Sequence, residues 1–190
     1  MSWYKKAKEK DLEEYQEYGW TSIDVPQNII DKVEDMQKTI DEEDLFVKKE
    51  GDWKYGLEDE FHITVKWGLV TKDAEKVKDI VECFQGGEVN LYKVDLFENE
   101  EFDVLKISVD SDALSELNHT ITDNLETHDT HPTYNPHITI AYLKPGLGKK
   151  YAGGNEFEGV KFSFNKITFE DSEDKKTVII LKDNMALENK

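Results

Sequence analysis

Hydrophobic positions along this chain come in short runs, and most of the runs alternate with polar ones. FHITVKW at 61–67, VLKISV at 104–109 and HITIAYL at 137–143 place apolar side chains at every second position. Each predicts a strand with one face for a core and one for something else. WTSIDV at 20–25 is a further short strand, and Val89–Phe97 and Phe102–Val109 are joined by the acidic turn ENEE. Val160–Phe169 and Thr177–Leu181 form a last hairpin through DSEDKK.

Between these runs the apolar spacing changes to three and four. Pro26 opens a helix to about Ile40 carrying Ile29, Ile30, Val33, Met36, Gln37 and Ile40. Thr71 is placed to cap a helix with Ala74, Val77, Ile80, Val81 and Phe84 inward, stopped by Gly86-Gly87. Ser111 caps another, with Leu114, Leu117, Ile121 and Leu125 inward. Trp3 to Tyr18 is charge-dense and amphipathic, a helical segment laid on the surface, so residues 1–18 are set apart from a single domain at 19–190. Helices and strands mix without regular βαβ alternation, which predicts an α+β fold with antiparallel pairing. No linker rich in Pro, Gly or Ser divides the chain.

Composition sharpens this picture. The net charge of -18 argues against a broad footprint on duplex DNA or long RNA. The chain contains no arginine, so a bound phosphate has to be held by Lys, hydroxyls, His or backbone N–H groups. Cys83 stands alone, the N-terminus lacks the apolar segment of a signal peptide, and no run reaches membrane-spanning length. A cytoplasmic protein away from membranes is expected.

The chemistry is carried by a repeat. His-Ile-Thr-Val at 62–65 and His-Ile-Thr-Ile at 137–140 lie 75 residues apart, each opening an alternating strand. Residues i and i+2 of a strand share a side, about 6.5–7 Å apart, so His62 and Thr64 face one way, as do His137 and Thr139. The bare triplet is weak evidence, because His128-Asp-Thr130 and His131-Pro-Thr133 have it too, in a polar loop where no strand continues. Two copies placed alike on strands suit an acid and a base, since histidine titrates near neutrality, with threonine hydroxyls to meet charge on a phosphate. No His/Asp cluster has metal-ligand spacing, and no cofactor is implied.

These paired motifs resemble the His-x-Thr/Ser-x signatures of the two-histidine phosphoesterase superfamily, which includes the RNA ligase-like cyclic phosphodiesterases. The resemblance spans about residues 18–182. It implies a bilobal fold, two pseudo-symmetric antiparallel sheets flanked by helices around a central cleft. It also implies that His62 and His137 are the acid/base pair, with Thr64 and Thr139 on the phosphate. YGLEDEFHITVKWGL and HITIAYLKPGLGKKYAGG are similar to the phage branch that degrades cyclic oligonucleotide messengers of antiphage (CBASS) signalling. That branch would act in the host cytoplasm on a small nucleotide, with no obligate protein partner.

Other residues fit such a ligand. On strict alternation Lys66 shares the inward face with His62 and Thr64. Lys144, Lys149 and Lys150 follow the second motif in a Gly-containing loop, and Trp20, Tyr142 and Tyr151 are candidates to stack on bases. Two other functions stay open: a 2′,3′-cyclic phosphodiesterase of RNA ends, and a non-catalytic sponge for cyclic nucleotides.

Overall fold

In a computed structural model, residues 18–50, 53–128 and 133–182 are described. The helical segment expected over 1–18 lies outside them apart from Tyr18. Among these residues, ten strands and three α-helices follow in order: β1 Gly19–Asp24, α1 Gln27–Gln37, β2 Lys49–Glu50, β3 Trp53–Lys54, β4 His62–Leu69, α2 Ala74–Val81, β5 Gly87–Phe97, β6 Asp103–Asp110, α3 Asp112–Asn124, β7 His137–Leu143, β8 Lys161–Phe164, β9 Lys166–Glu170 and β10 Lys176–Ile180. Two four-stranded antiparallel sheets form, ordered β10-β9-β1-β4 and β7-β6-β5-β8. Both motif strands, β4 and β7, are therefore edge strands, and they meet across the middle of the molecule.

One continuous core lies on the inner faces of both sheets. It joins Ile63 and Val65 of β4, Ile138 and Ile140 of β7, and Leu105 and Ile107 of β6 to the helices. The helices contribute Ile29 and Val33, Val77 and Val81, and Leu114, Leu117 and Ile121, matching the spacing expected from the sequence. Edge strands with free backbone groups are a liability, and loops cover both motif strands. Tyr142 N–H donates to Gly56 O and Glu58 N–H to Ile140 O along β7; Val70 N–H donates to Glu126 O and His128 N–H to Gly68 O along β4. Gly68 has φ +83°, and a Cβ there would collide with the His128 carbonyl, so this crossing requires glycine.

Two expectations shift in detail and one holds. The cap of α2 is Asp73, whose carboxylate accepts the N–H groups of Glu75 and Lys76, while Thr71 accepts that of Asp73. Ser111 caps α3 as expected, accepting from Leu114 N–H at 3.2 Å. The run Val160–Phe169 is two strands: β8 pairs β5 in the second sheet, β9 pairs β1 and β10 in the first. The chain changes sheets at Asn165, so alternation alone reads one strand where a sheet crossing occurs.

Candidate active site

The two motifs are built the same way, in backbone as well as sequence. In β4, Ser22 faces Thr64 and Thr21 faces Lys66, leaving Val65 as an extra residue. In β7, Lys106 faces Thr139 and Leu105 faces Ala141, leaving Ile140 extra. Each motif strand thus bulges at the third residue after its histidine. A bulge breaks the period of two, so positions beyond it swap faces.

This corrects the placement of Lys66. The extra residue turns Lys66 to the side of Thr21, away from His62 and Thr64, and it is only 5% exposed. By the same step Trp67 and Tyr142, expected on the apolar stripes, turn to the histidine side.

A bulged residue has a carbonyl that the ladder does not use, and each is capped by an amide from a helix. Asn118 of α3 donates to Val65 O at 2.7 Å; Gln37 of α1 donates to Ile140 O at 2.9 Å and to Glu58 O at 2.7 Å. We expect Asn118→Ala to cost about 1–3 kcal/mol, because a buried acceptor is left unpaired. Urea denaturation measures it, and an unchanged midpoint would contradict the capping role.

The histidines are held alike as well. His62 Nδ1 lies 2.8 Å from Glu60 O, and His137 Nδ1 lies 2.8 Å from Asn135 O, each carbonyl two residues upstream. A carbonyl only accepts, so Nδ1 carries hydrogen in both rings. Nε2 is then a bare base when the ring is neutral and a donor when it is charged. An aromatic ring backs each imidazole: Trp20 at 4.8 Å from His62 between centroids, Phe97 edge-on at 4.9 Å from His137. All four motif side chains are half-buried. Loss of solvation pushes His62 down from 6.5 to about 4, against the opposing pull of the Glu60 carbonyl. At neutral pH this imidazole is uncharged.

Segments entering the two motifs lock onto the opposite strands. The Tyr134 hydroxyl donates to Thr64 O at 2.9 Å, while Glu58 N–H reaches Ile140 O at 3.0 Å. Each motif is thereby tied to the approach to the other.

Cross-strand partners fill out the floor beside His137 and Thr139. Ser108 faces His137 and Lys106 faces Thr139; on β5, Asp95 faces Lys106, and Phe97 lies two residues on. Sequence reasoning does not single out Lys106, although VLKISV puts it at a polar position of an alternating strand. Its Nζ donates to Ser108 Oγ at 2.8 Å, sits 3.7 Å from Asp95 and lies 4.4 Å from the centre of the Phe97 ring.

The remaining sequence candidates are placed differently. Trp20 is 4% exposed and packs on His62, so it shapes the pocket wall rather than offering a face to a base. Tyr142 is fully buried with Tyr55 and Val104, and its hydroxyl donates to the Glu58 carboxylate at 3.5 Å, beside Thr139. Burial first, then that carboxylate, keeps the Tyr142 hydroxyl protonated. Lys144 donates to Glu43 O, Lys149 pairs with Glu98, and Lys150 bridges Asp41 and Asp44. Tyr151 donates to Asp44 Oδ2 at 2.6 Å. That loop is spent on holding itself to residues 41–44. Among the described residues, no three His, Cys, Asp or Glu side chains gather to hold a metal ion, and no helix is long and apolar enough to cross a membrane.

Comparison with known proteins places this arrangement. The sequence profile of a family described as anti-CBASS protein Acb1 matches residues 22–177. No curated protein matches the sequence. Among solved structures, E. coli LigT without ligand is similar over 87% of this chain and 95% of its own, at 15% identity and TM-score 0.57. The same protein complexed with 3′-AMP matches with the same identity, coverage and TM-score. The protein TT0787 of Thermus thermophilus matches over 87% of this chain and 95% of its own, at 10% identity and TM-score 0.53. At these identities the likeness is one of fold, the bilobal α+β arrangement of two antiparallel sheets.

Proposed function

The chain belongs to the anti-CBASS protein Acb1 family, and from that premise we propose that it is a phosphodiesterase that hydrolyses 3′–5′ linkages of cyclic di- and trinucleotide messengers without a metal ion. The observation that carries this reading is the duplicated anchoring of His62 and His137, each with Nδ1 on the carbonyl two residues upstream and with a threonine two residues further along its strand. A sponge has no use for two imidazoles each fixed in one tautomer by a carbonyl. A fold neighbour that takes 3′-AMP, E. coli LigT, supports a nucleotide as ligand.

In this mechanism His62, neutral because its pKa is low, takes the proton of the ribose 2′-hydroxyl at Nε2. The 2′-oxygen attacks phosphorus, and charge builds on the non-bridging oxygens, where the Thr64 and Thr139 hydroxyls donate. His137, protonated, gives its Nε2 proton to the departing 5′-oxygen. The 2′,3′-cyclic phosphate that results is opened by water with the two roles exchanged. Trp20 and Phe97 keep the imidazole planes in place. Substrate would be met in the host cytoplasm, with no cofactor, duplex DNA, membrane or obligate protein partner.

The low pKa of His62 sets a pH prediction. A base that stays neutral down to about pH 4 produces no acid limb in kcat/KM above about pH 5. A limb near 6.5 would show that His62 is not the base. The same shift has a stability consequence. The unfolded chain takes the proton at 6.5, before the folded one does at about 4, so this contribution is present above 6.5 and lost as pH falls towards 4.

Incubation with a panel of cyclic di- and trinucleotides and a 2′,3′-cyclic-ended oligonucleotide, in excess EDTA, tests the proposal by mass spectrometry. Linear products from the cyclic nucleotides are expected. Turnover of the oligonucleotide end alone would move the function to RNA ends, and loss of activity on chelation, restored by Mn²⁺ or Zn²⁺, would end the metal-free reading.

A further inference from the structure

The two halves of the cleft differ in the residue that faces each threonine. Facing Thr64 across the ladder is Ser22; facing Thr139 is Lys106. We propose that Lys106 binds a non-bridging oxygen of the scissile phosphate, so that the phosphate is held on the His137–Thr139 side of the cleft. The inference rests on the two-histidine reading and goes beyond it by naming the cation that the sequence motifs lack.

Burial makes the case first. Lys106 has a side chain 7% exposed, in the same row as the second motif and over the ring that backs His137. A lysine taken out of water requires compensation. Its anionic neighbour is Asp95, at 3.7 Å, well beyond the roughly 2.7–2.9 Å of a charge-assisted bond. Asp95 is itself 39% exposed and lies 3.4 Å from Lys93. The other contacts, the Ser108 hydroxyl and the Phe97 ring, are neutral. The ammonium is therefore only partly neutralised. Burial lowers its pKa, as expected of a cation whose partner is incomplete.

Elimination makes the case second. With no arginine, a side-chain cation on the phosphate other than histidine has to be lysine, and the lysines expected from the sequence are placed elsewhere. Lys66 is turned to the other face, while Lys144, Lys149 and Lys150 are paired with residues 41–44 and Glu98. Lys106 is the lysine in the cross-strand row of Thr139. An ammonium on the residue that faces Thr139 across the ladder meets the charge that develops as the 2′-oxygen attacks.

The experiment compares Lys106→Met with the wild type on cyclic dinucleotides carrying a single Rp or Sp phosphorothioate. Methionine fills similar volume, and replacing a partly compensated buried ion by an apolar group is often neutral or stabilising. The variant is expected to melt at or above the wild-type temperature and to lose about 10²-fold in kcat. The wild-type preference between the Rp and Sp diastereomers should collapse, because sulfur at the contacted oxygen no longer matters. Retained kcat would overturn the inference, as would lost activity accompanied by a lowered melting temperature and an unchanged diastereomer preference. His62→Ala and His137→Ala run beside it separate the two readings. If they are inactive while Lys106→Met is active, only the role of Lys106 fails; if all three are active, the two-histidine mechanism fails.

Discussion

Replacing His62 or His137 by Ala is expected to lower kcat by about 10²–10⁴-fold while leaving the fold intact. Both side chains lie at the half-buried cleft surface, clear of the shared core, so truncation opens no sealed cavity. The ladder pairs Asp24–His62 and Ser108–His137 use backbone groups and survive it. Because one imidazole accepts a proton and the other supplies one to the same transition state, the losses are not additive. The double variant should be little worse than the poorer single one. Steady-state rates with circular dichroism for the fold measure this. Near-wild-type kcat in either single variant would remove that histidine from the chemistry.

How much of this is legible in the sequence depends on how local the cause is. The histidines stand out because the motif is duplicated and each copy opens an alternating strand, which sets its histidine and threonine on one face. That argument holds until the alternation breaks. Val65 and Ile140 are bulged residues with no glycine or proline to announce them, so strict alternation puts Lys66, Trp67 and Tyr142 on the wrong faces. Asn118 and Gln37 cap the bulges from helices distant in sequence, and only the tertiary fold gives them that task. Lys106 is hidden for a similar reason: a lysine on an alternating strand looks solvated until its neighbour in the sheet is known. The helix faces read correctly because Val77, Leu114 and their neighbours follow one local period. The crossing at Asn165 escapes the pattern because Phe162, Phe164, Ile167 and Phe169 look like one strand although they belong to two sheets.

A substrate with a 2′-deoxy or 2′-O-methyl ribose at the scissile linkage should occupy the cleft and not turn over. The nucleophile in this mechanism is the substrate's own hydroxyl, held next to phosphorus by the ribose. Well-oriented intramolecular attack corresponds to effective molarities of about 10⁵ M or more, and water at this site would need positioning by the protein alone. The analogue keeps its phosphates, so it should remain a competitive inhibitor with a Ki near the KM of the parent. Normal turnover would transfer the role of His62 from the ribose to solvent.

The central claim is that two fixed imidazoles drive 2′-hydroxyl attack without a metal. The most direct measurement is a single-turnover reaction in excess EDTA and ¹⁸O-water, quenched early and analysed by mass spectrometry. The account predicts that the first product is linear and ends in a 2′,3′-cyclic phosphate free of ¹⁸O, with the label entering only when that ring opens. A first product that is already a phosphomonoester carrying ¹⁸O, with no cyclic species before it, would contradict the account.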